Sequence, residues 1–143
     1  METMVNRIEA PSRPGIVLFV AVLNFLTGAA SLFASFVMTM ALALGNLVGL
    51  RQYAADRAVT VAPQIDWAIV LNLTFGFFAA TAFVVGVAYI LLGVGQLRGR
   101  SSSWYFQIAM SVVGLLFVPI GTVINTFILV FFFQPPTRTY FGV

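Results

Sequence analysis

The side chains that could do acid-base or metal chemistry are few, and all of them lie at the edges of long apolar stretches. The chain has seven basic and four acidic residues and neither histidine nor cysteine. None of the charged residues falls within three stretches, at 14–50, 67–97 and 101–137. General acid-base catalysis, thiolate chemistry and metal binding need such groups held together in one site. The sequence therefore predicts that the protein is not an enzyme, with no catalytic residue, no metal site and no cofactor.

Three consecutive serines, at 101–103, are candidate nucleophiles. The chain has no histidine, and no carboxylate lies within the uncharged stretch that these serines open. A serine hydroxyl needs an adjacent base to become a nucleophile. A lipid-modifying enzyme is therefore the weakest of the functional interpretations.

The composition of the chain is that of a membrane protein. Hydrophobic residues make up 61% and charged residues 8%, compared with about 45–50% and about 25% in soluble domains. An ionised side chain is costly in hydrocarbon, so charges confined to the ends of apolar runs are typical of a polytopic membrane protein. We expect a single all-α membrane domain over residues 1–143.

Four transmembrane helices are predicted, two long and two short, with the short pair forming a C-terminal hairpin. The expected spans are 16–42, 66–95, 104–118 and 121–134, and Pro119 and Gly121 form the turn of the hairpin. Each arm reaches only about 22 Å against a hydrocarbon core of about 30 Å. A single helix in their place carries a proline in its middle. Three spans are therefore the alternative.

The positions of the arginines favour four spans with both termini in the cytoplasm. In that topology Arg51 and Arg57 lie outside and the other five arginines lie inside, whereas three spans divide the arginines four to three. The larger excess agrees better with the positive-inside rule. The five cytoplasmic arginines are Arg7, Arg13, Arg98, Arg100 and Arg138.

Small and polar residues form a stripe along each long span. Helices in lipid associate through close backbone approach and interhelical hydrogen bonds, so the two stripes are predicted to be packing faces that meet each other. A polar pathway for a solute is the alternative. The residues of these faces are Asn24, Gly28, Ser31 and Ser35 in the first span and Asn72, Gly76, Gly86 and Gly93 in the second.

The surface is expected to contact lipid. Fifteen phenylalanines predict an aromatic exterior, for which a quinone, a carotenoid or the helices of a partner are alternative contacts. Arg98 and Arg100 follow the second span and are interpreted as topology anchors, with binding of anionic lipid headgroups as the alternative. Scattered arginines of this kind do not predict nucleic acid binding.

The C-terminal half carries a glycine-rich helix end, an arginine turn, a tryptophan and a proline turn. These features are LLGVGQLRGR at 91–100, Trp104, VPIGT at 118–122, and Pro135 with Tyr140 and Phe141. In them the chain resembles a group of small uncharacterised bacterial four-helix membrane proteins. Tyr105 and Phe106 stand where that group often has a basic residue. The resemblance implies four spans and a bacterial origin, and it implies no activity. We expect the protein in the bacterial inner membrane.

The function that the sequence predicts is that of a noncatalytic integral membrane subunit or scaffold. Such a subunit packs against a larger respiratory, photosynthetic or transport complex, and small residues on two faces of the second span favour this interpretation. Its partners are other integral membrane subunits and membrane lipids, with a homo-oligomer as an alternative. The runner-up is a small oligomeric channel or transporter for a neutral or hydrophobic solute, lined by Asn24, Ser31, Asn72 and Asn125.

Overall fold

The computed structural model describes residues 13–49, 52–53, 56–57, 66–116 and 118–143. Across these residues it is all-α, with five helices and no strand, which confirms the predicted fold class at that level. The helices are α1 (Gly15–Leu47), α2 (Trp67–Leu97), α3 (Ser101–Gly114), α4 (Ile120–Phe132) and α5 (Pro135–Phe141).

The chain divides into two compact units. One, called here the terminal unit, comprises Met1–Asn24 and Leu91–Val143; the other, the middle unit, comprises Phe25–Ile90. The terminal unit holds the start of α1, the end of α2 and all of α3, α4 and α5. The middle unit holds the remainder of the two long helices.

The two long helices are long and apolar enough to cross a membrane. The candidate spans are Gly15–Leu47 and Ile69–Leu97, and each has a mean hydropathy of 2.3 over its most apolar 18-residue window. With 33 residues in α1 and 31 in α2, they extend about 50 and 46 Å, well beyond a hydrocarbon core of about 30 Å. The prediction of two long apolar helices is confirmed.

Local signals in the sequence set both ends of α2. The helix begins after Asp66, whose Oδ1 accepts a hydrogen bond from the backbone N–H of Ile69 over 3.1 Å, the usual geometry of an aspartate N-cap. It ends before Gly99, which has a φ of 65°. The N–H groups of Gly99 and Arg100 donate to the carbonyl oxygens of Gln96 and Gly95. This is a Schellman C-cap, whose left-handed residue is usually glycine.

Two short helices, α3 and α4, form an antiparallel hairpin. Near its open end Trp104 Nε1 donates to the carbonyl oxygen of Phe132 over 2.9 Å. Near its turn Gly114 faces the side chain of Asn125, and Thr122 Oγ1 donates to the carbonyl oxygen of Leu115 over 2.8 Å. The helices have 14 and 13 residues, about 21 and 20 Å, so each is shorter than a hydrocarbon core.

The hairpin leads into α5 through a sharp bend. The axes of α4 and α5 meet at 74° across a short break, and the pair together counts as a third candidate span or as a re-entrant element. Pro135 lies at the first position of α5, where a proline has no helical hydrogen bond to lose. Length and composition of the described helices thus give two spans, or up to three.

The core of the terminal unit lies where α1, α3, α4 and α5 meet. It is closed by aromatic contacts, including Phe132 against Phe141 with ring centroids 5.9 Å apart. The buried members of this core are Val17, Val20, Trp104, Ile128, Phe132 and Phe141. This core fixes the positions of the helix ends in the terminal unit.

Candidate functional site

A cluster of buried amides and hydroxyls lies inside the terminal unit. Asn24 Nδ2 donates to Gln96 Oε1 over 3.0 Å and to Gln107 Oε1 over 2.9 Å. Gln96 Nε2 also donates to Gln107 Oε1, over 2.8 Å. Gln107 Nε2 donates to Ser111 Oγ over 3.2 Å. The four side chains, called here the amide cluster, therefore join α1, α2 and α3.

Helix periodicity and the α2–α3 turn bring the amide cluster together. Ser103, Gln107 and Ser111 are spaced by four residues and form one buried stripe of α3. The cap at Gly99 ends α2 immediately after Gln96, and α3 then returns along α2. The return is close, because Gly95 lies directly against the Ser103 side chain. A residue larger than glycine at 95 would displace Ser103.

Hydrogen bonding is the chemistry that the amide cluster can do. Asn24 and Gln107 are each 3% exposed, and Gln96 and Ser111 are fully buried. Buried amides are costly unless they are paired, so their mutual bonds stabilise the approach of the three helices. Amides neither take up nor release protons near neutral pH. The cluster is accordingly suited to holding helices and not to acid-base catalysis.

A second polar assembly lies where α2 ends. The carbonyl oxygen of Leu97 accepts hydrogen bonds from Arg13 Nη2 and from Tyr140 Oη, each over 2.9 Å. Arg13 Nε also donates to Tyr140 Oη over 3.3 Å. A cation at a helix C-terminus interacts favourably with the helix dipole, and the carbonyl groups there lack intrahelical partners.

The contacts of Leu97 and Gly99 with Tyr140 place four arginines at one end of the terminal unit. Arg13 bonds Leu97, and the turn after Leu97 contains Arg98 and Arg100. A Cβ on Gly99 would lie 3.1 Å from the carbonyl oxygen of Tyr140, which brings Arg138 of α5 to the same end. We call this region the arginine end; its members are Arg13, Arg98, Arg100 and Arg138.

An apolar groove of about 340 Å³ lies between α1 and α4 in the terminal unit. Every residue that lines it is hydrophobic, and its lining residues recur at helical spacing on both helices. They include Ile16, Phe19 and Leu23 of α1 and Ile124, Phe127 and Phe131 of α4. We call it the α1/α4 groove.

The middle unit brings several of the predicted packing residues together. A Cβ on Gly28 would lie 2.9 Å from the Gly86 carbonyl oxygen, and a Cβ on Gly86 would lie 2.9 Å from the Gly28 carbonyl oxygen. About two helical turns away, Ser35 Oγ donates to the carbonyl oxygen of Ala79 over 2.8 Å. The glycines therefore permit the backbone contact that membrane helices use.

The other predicted packing residues lie elsewhere. Ser31 is half-buried and Asn72 is exposed in the middle unit, and open space surrounds the Cα of Gly76. Gly93 is buried in the terminal unit, as is Asn24 within the amide cluster. The residues proposed to line a solute route are thus divided between the two units, with Asn24 and Asn125 in the terminal one.

The predicted turn residues lie at the start of α4. Pro119 is the N-cap of α4, and Gly121 is already inside this helix. The carbonyl oxygen of Gly121 accepts a hydrogen bond from Asn125 Nδ2 over 2.8 Å. The chain reverses between the end of α3 at Gly114 and the start of α4 at Ile120.

Two residues central to the amide cluster, Gln96 and Gln107, were missed in the sequence. Gln96 lies within the glycine-rich helix end at 91–100, and Gln107 lies within the predicted span 104–118. Their signal is the presence of one uncharged amide on each side of the Arg98–Arg100 turn, Gln96 two residues before it and Gln107 seven residues after it. Helices that reverse at that turn place the two amides opposite each other.

The comparisons with other proteins give no relative for the chain. No protein-family model matches it, no curated protein matches its sequence, and no solved structure matches its fold. Among the described residues there is also no group of three or more carboxylate, imidazole or thiol side chains placed to hold a metal ion. The two polar assemblies, the groove and the exposed helix faces are the features of the described residues that bear on function.

Proposed function

We propose that the protein is a noncatalytic integral membrane subunit that packs against the helices of a larger complex in a bacterial inner membrane. Its interior polar groups hold its own helices together, as the bonds from Asn24 to Gln96 and Gln107 illustrate. A large apolar surface remains exposed on its helices. Only 28% of the most apolar 18-residue window of α1 is buried within the chain, and only 22% of the corresponding window of α2.

The proposed topology has four spans and both termini in the cytoplasm. The arginine end supports it, because four of the seven basic residues of the chain lie together there. Such a concentration of arginine favours the cytoplasmic side. The short hairpin arms, at about 20 Å, require local bilayer thinning or cover from neighbouring helices. A partner complex would supply that cover.

The observation that carries the proposed function is a second small-residue face on α2. Gly86 is already used against Gly28 inside the middle unit, whereas a Cβ on Gly76 would meet nothing within 4 Å. Ala80 follows Gly76 one turn later and is exposed. Small residues four apart on an open face allow a further membrane helix to approach closely. This face would therefore contact a helix of the partner.

The test is purification from native membranes in a mild detergent, followed by mass spectrometry of the co-eluting proteins. Wild-type protein is compared with a Gly76→Leu, Ala80→Leu variant and with a control that adds leucine at the exposed Ala30 and Ala41 of α1. We expect integral membrane subunits to co-elute with wild type and control, and to fall about tenfold or more with the Gly76 variant.

Several outcomes of this purification separate the alternatives. Wild-type protein that elutes as a clean monomer would exclude the proposed subunit role. A complex containing only copies of this chain would replace the partner with a homo-oligomer. An absorption spectrum of the purified complex would reveal a quinone or a carotenoid at the aromatic exterior.

A further inference from the structure

The α1/α4 groove has a defined direction with respect to the arginine end. Because α3 and α4 are antiparallel, α4 ends where α3 begins, which is the arginine end. Ile16 lies in the first turn of α1, three residues after Arg13, and Phe131 precedes Phe132, whose ring packs on Phe141 of α5. The groove therefore begins beside the arginines with Ile16 and Phe131. It runs along α1 to Leu23, a length of about 10 Å.

The described charged residues at the mouth of the groove are all basic. No acidic residue occurs anywhere in 91–143, and Arg98, Arg100 and Arg138 are exposed and make no ion pair with a described residue. Arg13 uses its guanidinium to bond Leu97 and Tyr140, and a guanidinium has five N–H donors in total. Donors thus remain at this end for an anionic group.

The volume of the groove favours a slender occupant. A helix has a diameter of about 10–12 Å with its side chains, so a segment as long as the groove would fill roughly 800 Å³ or more. The groove offers about 340 Å³. A single hydrocarbon chain is much narrower than a helix and contains no polar group, which matches the wholly apolar lining.

We propose that the α1/α4 groove and the arginine end together bind one anionic phospholipid. One acyl chain lies in the groove against Phe19 and Phe127, and the phosphate and anionic headgroup lie against the arginines. Basic residues next to a membrane attract anionic lipid by charge, and the acyl chain adds apolar contact. The proposal needs no partner complex, and it extends the expected headgroup role of Arg98 and Arg100 to a complete lipid site.

The experiment is native mass spectrometry of the delipidated full-length chain in detergent, titrated with dioleoyl phosphatidylglycerol or dioleoyl phosphatidylcholine. We expect one phosphatidylglycerol molecule to be retained, with an affinity at least about fivefold higher than that of phosphatidylcholine. Dihexanoyl phosphatidylglycerol, which has the same headgroup and short chains, should be retained much more weakly. Equal retention of the two dioleoyl lipids would overturn the headgroup assignment, and equal retention of the long and short chains would overturn the groove.

Matched variants assign the two parts of the site. Ile124→Trp fills the groove and should abolish the retained lipid, whereas Ile69→Trp adds the same side chain to an exposed position of α2 in the middle unit. Replacing Arg98, Arg100 and Arg138 together by glutamine should remove the preference for phosphatidylglycerol, and Arg57→Gln should leave it unchanged. Lipid retention by Ile124→Trp equal to that of Ile69→Trp would place the lipid elsewhere. If either variant fails to fold, the chain-length comparison on wild-type protein still decides the groove.

Discussion

Asn24 Nδ2 lies 2.9 Å from Gln107 Oε1, a bond between residues 83 positions apart in the chain. The same oxygen accepts a hydrogen bond from Gln96. One buried side-chain carbonyl of α3 is therefore hydrogen-bonded to both α1 and α2. Bonds of this kind between membrane helices average about 0.6 kcal/mol and reach about 1.7 kcal/mol. The amide cluster is therefore expected to be the main polar contribution to the stability of the terminal unit.

Replacing Gln107 by leucine removes three hydrogen bonds and leaves the amides of Asn24 and Gln96 with fewer acceptors. We expect the free energy of unfolding to fall by about 2 kcal/mol. Titration of the protein in mixed micelles with sodium dodecyl sulfate, followed by far-ultraviolet circular dichroism, measures this change. Gln134→Leu is the control, since Gln134 is exposed, and it should alter stability by less than about 0.5 kcal/mol. Equal effects of the two substitutions would show that the cluster is energetically unimportant.

The contact between Gly28 and Gly86 predicts opposite effects for two glycine substitutions on α2. In Gly86→Ala the new methyl group would lie 2.9 Å from the backbone carbonyl oxygen of Gly28 and 2.7 Å from the Leu32 side chain. Forcing these helices apart should cost about 1–3 kcal/mol. In Gly76→Ala the methyl group meets open space, and the better helix former should stabilise the isolated chain by up to about 1 kcal/mol.

The two alanine variants are compared in the same detergent titration. Because both replace glycine by alanine in one helix, their difference reports the local contact and not the residue type. A Gly86→Ala variant as stable as Gly76→Ala would mean that α1 and α2 do not approach closely at Gly28.

The open end of the helical hairpin depends on the indole of Trp104. Trp104→Phe keeps an aromatic ring beside Phe133 but loses the hydrogen bond from Nε1 to the carbonyl oxygen of Phe132. We expect a loss of about 1 kcal/mol in the free energy of unfolding. Tyr105→Phe also removes one polar group, from a side chain that is 61% exposed, and should have little effect. A Trp104→Phe variant as stable as wild type would mean that the packing of Phe132 on Phe141, and not the indole hydrogen bond, stabilises the open end of the hairpin.

The absence of cysteine from the chain makes the four-span topology directly testable. Single cysteines at Gln52 and Ile120 should react with a membrane-impermeant maleimide added to intact spheroplasts. Single cysteines at Ser102 and Thr139, both exposed at the arginine end, should react only after permeabilisation. A cysteine at Ile120 that reacts from neither side would indicate a re-entrant hairpin in place of two crossings.

The parts of the fold that follow from composition were predictable from the sequence. Uncharged runs of more than thirty residues require α1 and α2, and Asp66 before Trp67 marks the start of α2 because an aspartate side chain caps free N–H groups. The close approach of Gly28 and Gly86 involves two residues of the predicted packing faces, and a glycine is visible in the sequence as a missing side chain.

The amide cluster was harder to predict because its members belong to three helices. Asn24 belongs to the predicted stripe of small and polar residues in the first span, but its contact with Gln96 and Gln107 depends on how sharply the chain reverses after Gly99. That reversal follows from a glycine in the left-handed region, and sequence spacing alone does not give its direction.

The α1/α4 groove could not be predicted from the sequence for a similar reason. It lies beside the buried core that contains Val17, Val20, Ile128 and Phe132, and its lining residues come from two helices more than ninety residues apart in the chain.

The bond between Tyr140 Oη and the carbonyl oxygen of Leu97 spans 43 residues. Ribosomes add about 5–20 residues per second, so α2 is complete for roughly 2–9 s before Tyr140 has been made. During that interval Arg13 can already engage Leu97, while the side of this carbonyl that Tyr140 later occupies stays accessible. Until Tyr140 has been made, water or a neighbouring polypeptide would therefore supply the second hydrogen bond to the Leu97 carbonyl oxygen.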